Sequence, residues 1–268
     1  KSGFATISDP EWKRKVLLSP RVQALIQDAS NPLHEMAALF AIGGKPLIFF
    51  FEHPQDTTAL FKAIWNLNEV PIIIVVQDNH VDVFNGFKYE KELKTLQIIG
   101  DEAALDQFTY FKLVTGKSWE QYRAQLAYHN RVDYYLLKNI ELAQLHIQKT
   151  GVLRNLTNRL IGKTIFLRYL TDRHIVLRFE GVKKALTNDD LIELLQEKNR
   201  LSELFETLQD REKGFNGDLF KITREELATV PDAALNVLVR LLRSDDLEDG
   251  SQALFDIYDF SILRIICT

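Results

Sequence analysis

The sequence predicts a mixed protein, α+β or α/β. A small mixed sheet with its helices occupies residues 1–115, and an all-helical domain follows over residues 116–268. Three observations carry this. Short apolar runs alternate with helical stretches as far as Gly116, apolar positions fall at helical spacing after it, and 268 residues suit one large domain or two modest ones.

Residues 10–41 read as helical, covering one side of the sheet. Gly43-Gly44 marks a turn, and Pro46–Phe51 is then an apolar run of strand length. From Thr57 to Asn68, Leu60, Phe61, Ile64 and Trp65 form one helical face. Pro71–Gln77 is β-branched and apolar on both faces, as a central strand requires. Asp78-Asn79 turns the chain, and His80–Asn85 alternates with period two before a further turn signal at Asn85-Gly86. Leu96–Ile99, stopped at Gly100, is a fourth strand. Beyond Gly116, Ser118 with Gln121 fits a capping box that opens a helix reaching about Lys149. Further helices span about Leu153–Thr171, Asn188–Leu208 and Ala233–Arg243, with the glycine-containing Lys213–Asp218 loop as a plain turn.

Composition excludes several classes. Hydrophobic residues at 46% and charged residues at 26% suit a folded globular chain rather than a disordered one. No apolar run reaches membrane-span length, and no signal peptide opens the chain, so a cytoplasmic protein with no membrane partner is expected. The single cysteine, Cys267, excludes a disulfide framework and a cysteine zinc site. Walker, dinucleotide-binding, Gly-x-Ser-x-Gly and His-Glu-x-x-His motifs are all absent, and the six histidines never fall at i, i+4. No catalytic, cofactor-binding or metal-ligating set is therefore assigned. The start without methionine and the abrupt end suggest a piece of a longer protein.

Two constellations remain. The strand order of the first domain resembles the restriction-endonuclease fold, which holds magnesium with an Asp and a Glu-x-Lys to activate water. Asp82, Glu92 and Lys94 have that composition, although Glu11-Trp12-Lys13 shows how readily 37 acids and 18 lysines produce the spacing. The second constellation is electrostatic: Gln121 to Phe179 carries ten basic residues against three acids. Arg154, Arg159, Lys163, Arg168, Arg173 and Arg178 recur every four or five residues, a pattern able to hold DNA phosphates without base specificity. The competing reading pairs these cations with the stretch from Asp189 to Asp249, where sixteen acids meet eight bases. Trp65, Trp119, Tyr134 and Tyr135 are open between base stacking and core packing. Asp172-Arg173 reads as an ion pair or cap.

Several stretches resemble one family. Arg131–Ile140, Asn158–Arg173, Phe215–Phe220, Gln252–Phe255 and Ile257–Ile262 resemble the helical region of large bacterial adenine-specific DNA methyltransferases, including type IIG-like restriction–modification enzymes. Ala63–Ile72 and Val81–Asn85 resemble that family's amino-terminal α/β region. The resemblance implies a nuclease-like first domain, degenerate here, and a helical connector leading to a methyltransferase core that this chain lacks. It implies S-adenosylmethionine and magnesium for the whole enzyme, and DNA and the missing core as partners. The family's Phe-x-Gly-x-Gly and Asn-Pro-Pro-Tyr motifs are absent; Asn31-Pro32-Leu33 lacks the second proline. Without the latter, a flipped adenine has neither its acceptors nor its stacking ring. The expected function is thus non-catalytic: connection and backbone binding. A magnesium-dependent nuclease and a helical protein-interaction module are the alternatives.

Overall fold

The computed structural model describes residues 2–78, 80–179, 182–209, 221–245, 247, 256–260 and 262. It is a mixed α/β protein whose chain divides into two compact units between Tyr134 and Tyr135.

The first unit holds a six-stranded mixed sheet, made of β1 (Ser2–Thr6), β2 (Met36–Ile42), β3 (Lys45–Glu52), β4 (Ile72–Gln77), β5 (His80–Glu90) and β6 (Thr95–Asp101). Spatial order follows chain order, and only β3 and β4 run parallel. Helices α1 (Trp12–Lys15) and α2 (Pro20–Gln27) lie between β1 and β2. The β3–β4 crossover is α3 (Thr57–Leu67). The Asp56 carboxylate caps it by accepting from the Ala59 amide at 2.9 Å, and Asn68 closes it in the left-handed region.

Both faces of β4 are covered, which is why its isoleucines and valines need no alternation. Phe49, Ile73 and Phe84 share one register row on the α3 side, where Phe61 stacks on Phe84 at 4.7 Å. On the other face, Phe40, Ile48, Ile72, Ile74 and Val83 pack with Phe108, Leu113 and Tyr122. Those last three come from the segment carrying α4 (Tyr110–Val114) and α5 (Lys117–Gln121), so residues beyond Gly116 still belong to this unit.

Three expectations need correction here. Met36–Ile42 is a strand, not the end of a helical region. Its alanines and leucine favour helix, but bonding to β1 and β3 on both sides overrides that preference. Asn85-Gly86 is not a turn; both lie inside β5, where the register slips before Tyr89. Ser118 does not cap a long helix. It is buried within short α5, its hydroxyl donating to the Gln107 carbonyl, and Gly116 stands at the N-cap. The turn at Asp78-Asn79 has Asp78 at positive φ, while Asn79 lies outside the described residues.

The second unit holds most of α6 (Val132–Lys149), then α7 (Arg154–Asp172), α8 (Asn188–Gln196), α9 (Lys198–Gln209), α10 (Arg224–Ala228) and α11 (Asp232–Arg243). It is not all helix, because β7 (Val176–Phe179) and β8 (Val182–Ala185) form an antiparallel hairpin after α7. The expected Asn188–Leu208 helix is two, broken where Glu197 leaves helical geometry. Thr187 and Asp190 form a full capping box on α8, and Lys184 bonds the same carboxylate at 2.8 Å. The Lys184 bond and the two Thr187 bonds hold the Asp190 carboxyl down at about 2. Among the described residues no helix is long and apolar enough to cross a membrane.

Candidate functional site

The nuclease candidates do not converge. Asp82 sits near the start of β5, opposite Asp101 of β6, with His80 Nε2 3.1 Å from its carboxylate. These residues and Glu102 line a shallow cleft. Glu92 and Lys94 occupy the β5–β6 turn at the other end of the hairpin, with Lys94 at φ 53°. Eight steps of strand rise put Asp82 and Glu90 roughly 25 Å apart, whereas carboxylates sharing magnesium each lie about 2 Å from it. Asp82, Glu92 and Lys94 are therefore not one site. The Glu-x-Lys triplet is charged because it turns the chain in water. The neighbouring central strands β3 and β4 carry no carboxylate except Glu52, at the exposed end of β3.

The basic series on α7 is largely consumed internally. Successive residues advance about 100° around a helix, so Arg154, Arg159, Lys163, Arg168 and Arg173 fan around α7 instead of lining one stripe. Arg159 grips Glu226 with both terminal guanidinium nitrogens, at 2.9 and 2.6 Å, and reaches the Lys221 carbonyl. Glu226 is also the reciprocal residue of the α10 capping box, so α7 fixes the start of α10. Lys163 is 1% exposed, with its ammonium 5.4 Å from the Phe205 ring centre. Arg168 is also buried. Only Arg154 and Arg173 are exposed, and Arg173 lies over the Tyr169 ring. The expected backbone-binding row is thus replaced, for Arg159, Lys163 and Arg168, by packing and pairing inside the unit. Arg178 lies on β7, where only the backbone is described.

What the sequence reading missed is a buried polar junction built on Arg168. Its guanidinium donates to Asp172 at 2.9 Å, to Asn188 Oδ1 at 3.2 Å and to the Tyr258 carbonyl at 3.1 Å, and it lies 6.0 Å from the Phe260 ring. Asp172 uses its second oxygen to accept from the Phe260 amide at 2.9 Å. Asn139 of α6 donates to the Tyr258 hydroxyl at 2.9 Å. The Ile257–Phe260 segment is therefore tied to two helices by backbone and side chain alike. Burial pushes the Asp172 carboxyl up despite the adjacent guanidinium and the Phe260 amide, and burial also pushes the Tyr258 phenol up. Arg168 and Asp172 stand at i, i+4 on α7, the one trace of the junction visible in sequence order. Tyr258 is only 1% exposed, so the junction is closed to solvent.

The tryptophans also serve structure. Trp65 is buried and donates its Nε1–H to the Phe87 carbonyl at 3.2 Å, and Trp119 donates to the Leu113 carbonyl at 3.1 Å. Among the described residues no group of three His, Cys, Asp or Glu side chains is placed to hold a metal ion. The Lys213–Asp218 loop, Phe215–Phe220, Gln252–Phe255 and Cys267 lie outside the described residues.

Desolvation pulls the Lys163 ammonium down to about 8. A lysine whose folded value lies below its unfolded one costs stability while charged, and stability rises as pH climbs from the folded towards the unfolded value. Lys163→Met should therefore lift a desolvation cost from the second unit at neutral pH, less the contacts that the ammonium makes there, the Phe205 ring among them. The advantage should shrink between pH 8 and 10 in urea titrations followed by circular dichroism. A variant less stable than the parent at neutral pH would show that Lys163 is held by compensating interactions.

Compared with known proteins, the chain matches no family model, no curated protein and no solved structure.

Proposed function

We propose that this chain is the non-catalytic front part of a cytoplasmic restriction–modification adenine-specific DNA methyltransferase, and that its second unit is a connector. The observation that supports this most is the Arg168 junction. Two of the stretches that carry the resemblance, Asn158–Arg173 and Ile257–Ile262, meet there through Arg168, Asp172, Tyr258 and Phe260. In the resembled family the second of these leads to the methyltransferase core. Arg168 and Asp172 would then fix the path of the chain towards that core. Binding of S-adenosylmethionine and methyl transfer belong to that core, because the motifs for both are missing from this sequence. Contact with DNA backbone by this part falls to Arg154 and Arg173, the exposed members of the basic series among the side chains described.

The test is the source DNA after codon 268, read in three frames. Phe-x-Gly-x-Gly followed by Asn-Pro-Pro-Tyr is expected in one of them; their absence from all three overturns the reading. Supercoiled plasmid incubated with this chain and magnesium should stay intact. Nicking abolished by Glu92→Ala would restore the nuclease alternative.

A further inference from the structure

Helix α6 carries two stripes. Leu136, Asn139, Ala143 and Ile147 are buried. On another side of the same helix, Tyr134, Leu137 and Leu145 remain exposed, the two leucines by half or more. Tyr134, Lys138, Glu141 and Leu145 lie within about 40° of one line along the helix, at spacings of four, three and four. That is the alternation of a coiled-coil seam. Lys138 and Glu141 are exposed, and among the described residues neither forms an ion pair.

We propose that this stripe is a self-association face, on which two copies of the chain pair their α6 helices antiparallel about a two-fold axis passing between Asn139 and Ile140. The stripe is complementary to itself in that arrangement. Tyr134 of each copy meets Leu145 of the other, and Lys138 of each meets Glu141 of the other, so one operation satisfies two apolar and two charged pairs. A parallel pair would instead set Lys138 against Lys138 and Glu141 against Glu141, which like charges oppose. Apolar residues at the ends of the seam supply attraction, and the central charges fix direction and register at some cost in affinity, as polar seam residues do. A contact made by one helix from each copy is small. The dimer should therefore be reversible, with a dissociation constant in the micromolar range. This inference does not depend on the methyltransferase reading.

The experiment is sedimentation equilibrium of the whole chain across a concentration series, at low and moderate salt. A monomer–dimer equilibrium is expected. Lys138→Glu and Glu141→Lys should each weaken it by about tenfold or more, by placing like charges opposite one another. The double variant K138E/E141K exchanges the charges and should restore the dimer, which no unfolding artefact would do. Circular dichroism should show all three variants folded, because both positions face water. Leu145→Asp should leave only monomer. A chain that stays monomeric up to hundreds of micromolar overturns the proposal, and so does association that ignores the single reversals.

Discussion

Replacing Arg168 by Met should cost the second unit about 3–5 kcal/mol, because the Asp172 carboxylate would stay buried without its cation. The same change strips a donor from the Tyr258 carbonyl and from Asn188. The pH dependence identifies the cause. A carboxyl whose folded value is raised contributes stability at low pH, and that contribution is lost as pH rises through the folded value. Asp172 is already raised by burial in the parent, and removing Arg168 takes away the charge that opposes this rise. The deficit of Arg168→Met should therefore be smallest in acid and grow towards neutral pH. Removing both charges, as Arg168→Met with Asp172→Leu, should recover most of the loss. What remains is about 1–3 kcal/mol for the two hydrogen bonds that the pair no longer makes, to the Tyr258 carbonyl and from the Phe260 amide. All three tryptophans lie in the first unit, so the second is best followed by circular dichroism in urea. A single variant within about 1 kcal/mol of the parent would mean that the pair is not the anchor of Ile257–Phe260.

The other large effect concerns Gly86. A β-carbon there would lie 2.0 Å from the Val70 carbonyl oxygen, and the Gly86 amide donates to the Pro71 carbonyl at 2.9 Å. Two backbone segments thus touch where β5 runs past the entry to β4, and only glycine lets them do so. Gly86→Ala should destabilise the first unit by about 3 kcal/mol or more, since backbone cannot yield as a side-chain tip can. Gly116→Ala is the comparison. Nothing lies within 4 Å of its added carbon, so only its positive φ is penalised, by about 1 kcal/mol. Tryptophan fluorescence during denaturant unfolding reports on this unit through Trp12, Trp65 and Trp119. Equal losses for the two variants would show that the close approach has no energetic weight.

Where local pattern and burial agree, the sequence is a good guide. The β-branched run of β4, the apolar face of α3 and the helical spacing of α7 were all legible, because each element buries residues at its own natural period. Misreadings cluster where a distant partner decides. Met36–Ile42 is a strand because β1 and β3 flank it. Asn85 reads as a turn residue, yet it is buried with its amide donating to the Gln125 carbonyl, 40 residues away. Ser118 answers to Gln107 rather than to its own helix. The candidate sites failed for a related reason. Spacing along the chain cannot say that a bulged hairpin separates Asp82 from Glu92. Nor can it say that Arg159 and Arg168 are already engaged by Glu226 and Asp172. The Arg168 junction was beyond reach because it closes across 88 residues or more, between Phe260 and Asp172 and between Arg168 and Tyr258.

The neighbour-to-neighbour order of the six strands has a consequence for how the chain is made. Each strand pairs only with those just before and after it, so no strand waits for a distant segment. Loop-closure entropy stays low at every step, and such topologies fold fast for their size. On the ribosome the sheet can assemble in the order in which it is synthesised, and it is complete once β6 has emerged at Asp101. Closure of the second unit around Arg168 must instead wait for Tyr258 and Phe260. Synthesis thus delivers a finished sheet well before it delivers a finished joint.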